Sequence, residues 1–166
     1  QVYLNDGQGR FSSEALVPLG EEDRTQSVAV GDLNGDGLLD ILVGNRGQPD
    51  VLYLNDGRFG ASPAQGQERP PGLLGGSLVH KIQAASTTLG GQDWTESLAV
   101  GDLNGDGLLD IVAGNSKGQS SIYRNHGAGG SPAQLTPGLP FGIAAQTRGV
   151  AVGDLDGDGR LDVLAG

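Results

Sequence analysis

Cysteine and methionine are both absent from the 166 residues. Without cysteine there is no disulfide framework and no thiolate chemistry, catalytic or metal-binding. Without methionine there is no translation start, so we expect a processed product or a segment of something longer. Aromatic residues make up only 4%, and just one of them is Trp. That scarcity, with no long helical apolar pattern, points away from a helical core. Basic residues are few, 10 against 20 acids. No basic patch exists to neutralise phosphates, so nucleic acid is excluded as a partner. No signal peptide, transmembrane stretch or lipidation motif is visible, and we expect no membrane insertion. No Gly-x-Ser-x-Gly elbow, P-loop or zincin motif occurs. The two histidines, His80 and His126, do not make a catalytic set, and we expect no enzyme.

Glycine, by contrast, is abundant at 31 residues, and much of it sits in a stretch that occurs three times. The stretch reads Asp32-Leu33-Asn34-Gly35-Asp36-Gly37-Leu38-Leu39-Asp40 and is repeated identically from Asp102 to Asp110. The third copy is Asp154-Leu155-Asp156-Gly157-Asp158-Gly159-Arg160-Leu161-Asp162. Oxygen-bearing side chains stand at positions 1, 3, 5 and 9, and glycine at position 6. Side chains at alternate positions of a tight loop converge on one point, and glycine permits the bend. Calcium accepts six to eight oxygens in flexible geometry, whereas magnesium keeps its waters in a strict octahedron. The expected ion is therefore calcium, about three per chain. Its side-chain ligands would be Asp32, Asn34, Asp36 and Asp40; Asp102, Asn104, Asp106 and Asp110; and Asp154, Asp156, Asp158 and Asp162. Position 7, occupied by Leu38, Leu108 and Arg160, would offer only its backbone carbonyl. The bland reading is three Asp-Gly turns without metal; three copies with acids in register favour the ion. These loops hold ten of the twenty acids behind the net charge of −10.

The loop differs from an EF-hand. Position 12 is Val43, Ala113 or Ala165 rather than Glu, and the flanks are apolar and strand-like rather than helical. Ser27-Val28-Ala29-Val30 precedes the first loop and Ile41-Leu42-Val43 follows it. Each loop thus joins the strands of a hairpin. The extended pattern, Ser-(Val/Leu)-Ala-Val-Gly-Asp-Leu-Asn-Gly-Asp-Gly-Leu-Leu-Asp-Ile, leads on to Val51-Leu52-Tyr53-Leu54-Asn55 or Ser121-Ile122-Tyr123-Arg124-Asn125. It resembles the FG-GAP/VCBS repeat of integrin-alpha-like calcium-binding β-propellers. The resemblance implies an all-β fold of four-stranded antiparallel blades, about three in this chain, with calcium in the hairpin between the first two strands. It carries over the same ligand positions, from Asp32 to Asp40 and their counterparts. The Phe-Gly dipeptide that names the family occurs at Phe59-Gly60 and Phe141-Gly142. The resemblance also implies a secreted or cell-surface protein that binds rather than catalyses.

The whole of 1–166 is read as one propeller segment, with blade 1 over about 26–95, blade 2 over about 96–145 and blade 3 over about 146–166. Val2-Tyr3-Leu4-Asn5-Asp6-Gly7 matches Leu52 to Gly57 and reads as a third strand, with a fourth over 10–17. Residues 61–76 read as an irregular loop, and 78–85 as a strand. Asp32 precedes Tyr53 by 21 residues and Asp102 precedes Tyr123 by 21; joining the two ends would place Tyr3 only 15 after Asp154. Blade 3 is therefore expected to be completed by strands from 1–20 of this or a neighbouring copy. A dimer of six blades, a longer parent propeller and a repetitive array all remain open, because closed rings usually hold four to eight blades. Trp94 reads as blade packing or, more sharply, as a sugar-stacking platform. Tyr3, Tyr53 and Tyr123 share one repeat position and read as packing. The expected function is an extracellular calcium-binding module with a structural or adhesive role, its partner a protein or a glycan. A lectin propeller and a non-catalytic domain of a polysaccharide-active enzyme are the alternatives.

Overall fold

A computed structural model describes residues 2, 3, 5, 7–11, 24–55, 80–82 (backbone alone), 89, 94–127, 135, 136, 138–142 and 146–166. Ten strands run through them, and no helix occurs among the described residues. The first sheet has order β1-β2-β3-β4, from β1 (Thr25–Gly31) and β2 (Asp40–Asn45) through β3 (Val51–Leu54) to β4 (His80–Ile82). The second repeats it with β5 (Thr95–Gly101), β6 (Asp110–Asn115), β7 (Ser121–Tyr123) and β8 (Leu139–Pro140). The third pairs β9 (Val150–Gly153) with β10 (Asp162–Ala165). All pairings are antiparallel. The architecture is thus all-β and built of propeller-type blades, as the repeat leads one to expect.

The first two hairpins share one register. Gly31 faces Asp40 and Ser27 faces Gly44, as Gly101 faces Asp110 and Ser97 faces Gly114. The same bulge shifts each ladder, between Thr25 and Ser27 and between Thr95 and Ser97. The short apolar runs Ile41-Leu42-Val43 and Ile111-Val112-Ala113 form central strands buried from both sides, while β1 carries alternating residues. Leu33, Leu42, Leu52, Leu98, Ile111 and Tyr123 belong to one core cluster spanning both blades.

Blades stack in chain order, β1 against β5 and β5 against β9. The serine that opens each apolar run makes the tie. Ser27 Oγ accepts the N–H of Leu98 at 3.0 Å, and Ser97 Oγ accepts that of Val150 at 3.0 Å. The central strands can approach because they carry glycine at the contact. A Cβ built at Gly114 would lie 2.8 Å from Val150 Cγ1 and 2.9 Å from Thr147 Cγ2. One at Gly44 would meet Thr95 Cγ2 at 2.8 Å. Gly114→Val is therefore expected to push the second and third blades apart and cost about 1–3 kcal/mol, the usual range for overpacking. Urea unfolding measures this, and an unchanged midpoint would contradict the close approach.

Stacking leaves the outer faces bare. Val28 is 58% exposed, whereas its counterpart Leu98 is 8% exposed because blade 1 covers it. Leu33 is fully buried under blade 2, whereas its counterpart Leu155 is 68% exposed.

Tyr53 and Tyr123 are buried, in keeping with packing, and Tyr3 is largely exposed. His126 is exposed. The strand read over 78–85 appears as β4, over 80–82. Of the strands read near the N-terminus, the described residues show an isolated antiparallel bridge between Asn5 and Phe11. Residues 12–17, the loop 61–76 and Phe59-Gly60 lie outside the described residues.

Candidate metal centre

The three repeated loops occupy the turns β1–β2, β5–β6 and β9–β10, all at the same end of their hairpins. Backbone N–H groups wrap each one around its position-1 carboxylate. In the first, Asp32 accepts from Gly35 at 2.7 Å, Asp36 at 3.1 Å and Gly37 at 2.8 Å. Asp102 does the same with Gly105, Asp106 and Gly107, and Asp154 with Gly157 and Gly159. Folding five residues around one carboxylate requires left-handed backbone at positions 4 and 6. Gly35 has φ 76° and Gly37 φ 85°, and the other two loops repeat both values closely. Side chains resist that region. The position-4 glycine was not singled out from sequence, although its invariance across the three copies signalled it.

Position 3 folds inward in the same way. Asn34 Oδ1 accepts the N–H of Asp36 at 3.0 Å, Asn104 that of Asp106 at 2.9 Å, and Asp156 that of Asp158 at 3.1 Å. Position 5 turns onto the loop's exit. Asp36, Asp106 and Asp158 each accept the N–H of the position-7 residue, Leu38, Leu108 or Arg160, at 2.8–2.9 Å. Asn34 and Asn104 also donate their side-chain N–H to Asp36 and Asp106.

Position 9 does more than the sequence indicated. Asp40 and Asp110 are fully buried. Asp40 Oδ2 accepts the N–H of Leu33 at 2.9 Å, and its Oδ1 accepts that of Asn55, beyond β3, at 2.9 Å. Asp110 holds Leu103 at 3.1 Å and Asn125 at 2.9 Å. These acids thus tie loop, second strand and third strand together. Asp162 holds Leu155 at 2.9 Å. The recurring Asn, fifteen residues after the position-9 acid in both complete hairpins, was the available signal.

Electrostatics separate the acids. Burial raises the pKa of Asp40 above the ordinary carboxylate value; N–H groups of Asn55 and Leu33 oppose that, and Asp36 and Asp32 add to it. Asp102 is held lower, chiefly by the N–H of Gly107. In the third loop, carboxylate oxygens of Asp154, Asp156 and Asp162 all lie within 4.8 Å of one another. Oxygens bound to one calcium at 2.3–2.6 Å fall within about that separation of each other, so the donor set fits the ion. Position 5 stands outside that group, on its backbone partner. Loops one and two keep the same hydrogen-bonded frame, with Asn34 and Asn104 as neutral oxygen donors in place of Asp156. An ion pair joins Arg46 to Glu96 at 3.7 Å, away from the loops.

Trp94 lies at the opposite end of the hairpins. It bridges Arg46 across the blade boundary, and the ring carries Arg46 Cζ at 4.1 Å and Lys117 Nζ at 3.6 Å from its centroid. Cation–π contact and blade packing occupy it, so it does not present a bare stacking face to a sugar.

Comparison with known proteins agrees with the repeat. The profile of the FG-GAP-like repeat matches residues 1–43 and 102–165, and that of the FG-GAP repeat matches 25–62. The chain is similar to cartilage acidic protein 1 of Homo sapiens, 28% identical over 176 residues, covering 98% of this chain and 23% of the relative. It is similar to integrin alpha-7 of Homo sapiens, 30% identical over 157 residues, covering 84% and 12%. It is also similar to integrin alpha pat-2 of Caenorhabditis elegans, 30% identical over 182 residues, covering 91% and 14%. The chain therefore spans about a quarter or less of the length of these relatives.

Proposed function

The chain belongs to the FG-GAP repeat family, and from that premise we propose an extracellular, calcium-stabilised β-propeller module that binds a protein or glycan and does not catalyse. The observation that carries the reading is the third loop, where carboxylate oxygens of Asp154, Asp156 and Asp162 converge within 4.8 Å of one another. Its backbone frame recurs in the other two. On this reading Asp32, Asn34, Asp36, Asp40 and the carbonyl of Leu38 hold one calcium. Asp102, Asn104, Asp106, Asp110 and Leu108 hold a second; Asp154, Asp156, Asp158, Asp162 and Arg160 a third. Position 5 swings from its backbone partner to join each set. The ion supplies positive charge and rigidity: it removes the repulsion within each acid cluster and locks the turn that orients the blade.

An extracellular setting is supported by the millimolar calcium available there, which fills sites of modest affinity. Similarity to integrin alpha chains and to a cartilage protein supports it further. The bare apolar faces, Val28, Val30 and Leu39 on one side and Leu155 and Leu164 on the other, are covered on this reading by further blades, from a second copy or a longer polypeptide. Segment 2–7, whose sequence repeats that of the third strands, then supplies a neighbour for β10.

Calorimetric titration with calcium chloride tests the metal. The expected result is three ions per chain, with magnesium taken up more weakly. No heat and no uptake up to about 10 mM, beyond the weakest extracellular calcium modules, would defeat the reading.

A further inference from the structure

The first two loops are joined by a short run of hydrogen bonds. Leu33 donates its N–H to Asp40 Oδ2 in its own loop. The carbonyl of the same residue accepts Asn125 Nδ2 at 2.8 Å, from just beyond β7, 92 residues further on. Asn125 Nδ2 also donates to the carbonyl of Leu109 at 3.2 Å, and the backbone N–H of Asn125 donates to Asp110 Oδ1 at 2.9 Å. Leu33, Asp40, Asp110 and Asn125 are all fully buried. The position-9 acids of the two loops are thus connected through one residue of loop one and one residue of blade two.

Asn55 occupies the matching place in blade one. Its bonds to Asp40 and to the carbonyl of Leu39 lie within its own blade. Among the described residues, nothing from blade three reaches the second loop as Asn125 reaches the first.

We propose that Asn125 is a positioning residue that couples cation binding in the first two loops, so that they fill cooperatively. The proposal rests on the calcium reading above. Its physical basis is shared ordering. The Asn125 amide accepts the N–H of Gly127 at 3.0 Å through Oδ1 and donates through Nδ2 to both Leu33 and Leu109, so those two carbonyls must be in place together for Nδ2 to bond both. A cation that stiffens loop one holds Leu33, and through Asn125 it orders the neighbourhood of Asp110 before the second ion arrives. The second ion then meets less of the ordering cost. Linkage makes the effect reciprocal.

The amides of Gly35, Gly37, Gly105, Gly107, Gly157 and Gly159 donate to the position-1 carboxylates and report on each loop separately by NMR. In a calcium titration of the full chain, the signals of loops one and two are expected to move together. In Asn125→Ala both should weaken by about fivefold or more, a typical coupling. Asn55→Ala should weaken loop one directly and loop two only through the coupling.

A second variant guards against misfolding of the first. Asp36 is exposed, so Asp36→Ala disables loop one without opening the core, and loop two should lose affinity by a similar factor. An unchanged loop two in Asp36→Ala overturns the coupling even though calcium binds. So does an unchanged loop one in Asn125→Ala. If no glycine amide responds to calcium in the wild-type chain, the calcium reading itself fails and the coupling falls with it.

Discussion

In excess chelator the chain is expected to melt about 15–30 °C below its melting temperature in millimolar calcium. A site held at one hundred times its dissociation constant adds about 2.7 kcal/mol to the folded state. Three such sites approach about 8 kcal/mol, within the range of about 5–15 kcal/mol that a whole domain commands. For a domain of this size each kcal/mol moves the melting temperature by about 2–4 °C. The acids make the loss worse, because ten of the twenty lie in the three loops and repel once the ions leave. Differential scanning calorimetry with and without EDTA reads the shift. Superimposable melts would mean that the backbone N–H groups alone hold the loops closed and that the ion is dispensable.

The second large effect separates the two kinds of acid in one loop. Asp110 is fully buried and accepts the N–H groups of Leu103 and Asn125. Asp110→Ala leaves the buried N–H of Asn125 without its partner, at about 1–3 kcal/mol, and frees the half-buried N–H of Leu103 at less, so a loss of about 1–4 kcal/mol is expected even in chelator. Asp106 is exposed, and its bonds stay within the loop. Asp106→Ala should cost under about 1 kcal/mol in chelator, as surface changes do, and should weaken calcium binding instead. Urea unfolding of both variants, in calcium and in EDTA, gives the four values. Equal losses for the two variants in chelator would show that position 9 is a ligand only and not a tie between strands.

The place of each repeated loop, in the turn of a hairpin, was legible in the sequence. Their hydrogen bonds run between partners two to seven apart, as from Gly35 to Asp32 or from Leu33 to Asp40, so nine residues carry all the information for the frame. The hairpins were legible for the same reason: an apolar strand on each side of a tight turn has one way to pair. The double role of Asp40 was not legible, because an acid at position 9 looks the same whether it faces an ion or the N–H of Asn55. Trp94 stayed open between packing and sugar stacking until Arg46 and Lys117 were seen over its ring.

By itself, then, the sequence determined an all-β chain of repeated hairpins, with an acidic, glycine-bent turn at the same end of each. Tertiary structure alone decided how the blades meet. It brings Ser27 to the N–H of Leu98 and Leu33 to Asn125, and it sets Gly114 against Val150. It also leaves Val28 and Leu155 bare where Leu98 and Leu33 are covered. The physical reason is range. A turn is specified by bonds among near neighbours, which any copy of the motif repeats. A blade interface depends on which copy stands next to which, and identical motifs acquire different burial and different partners from that position alone.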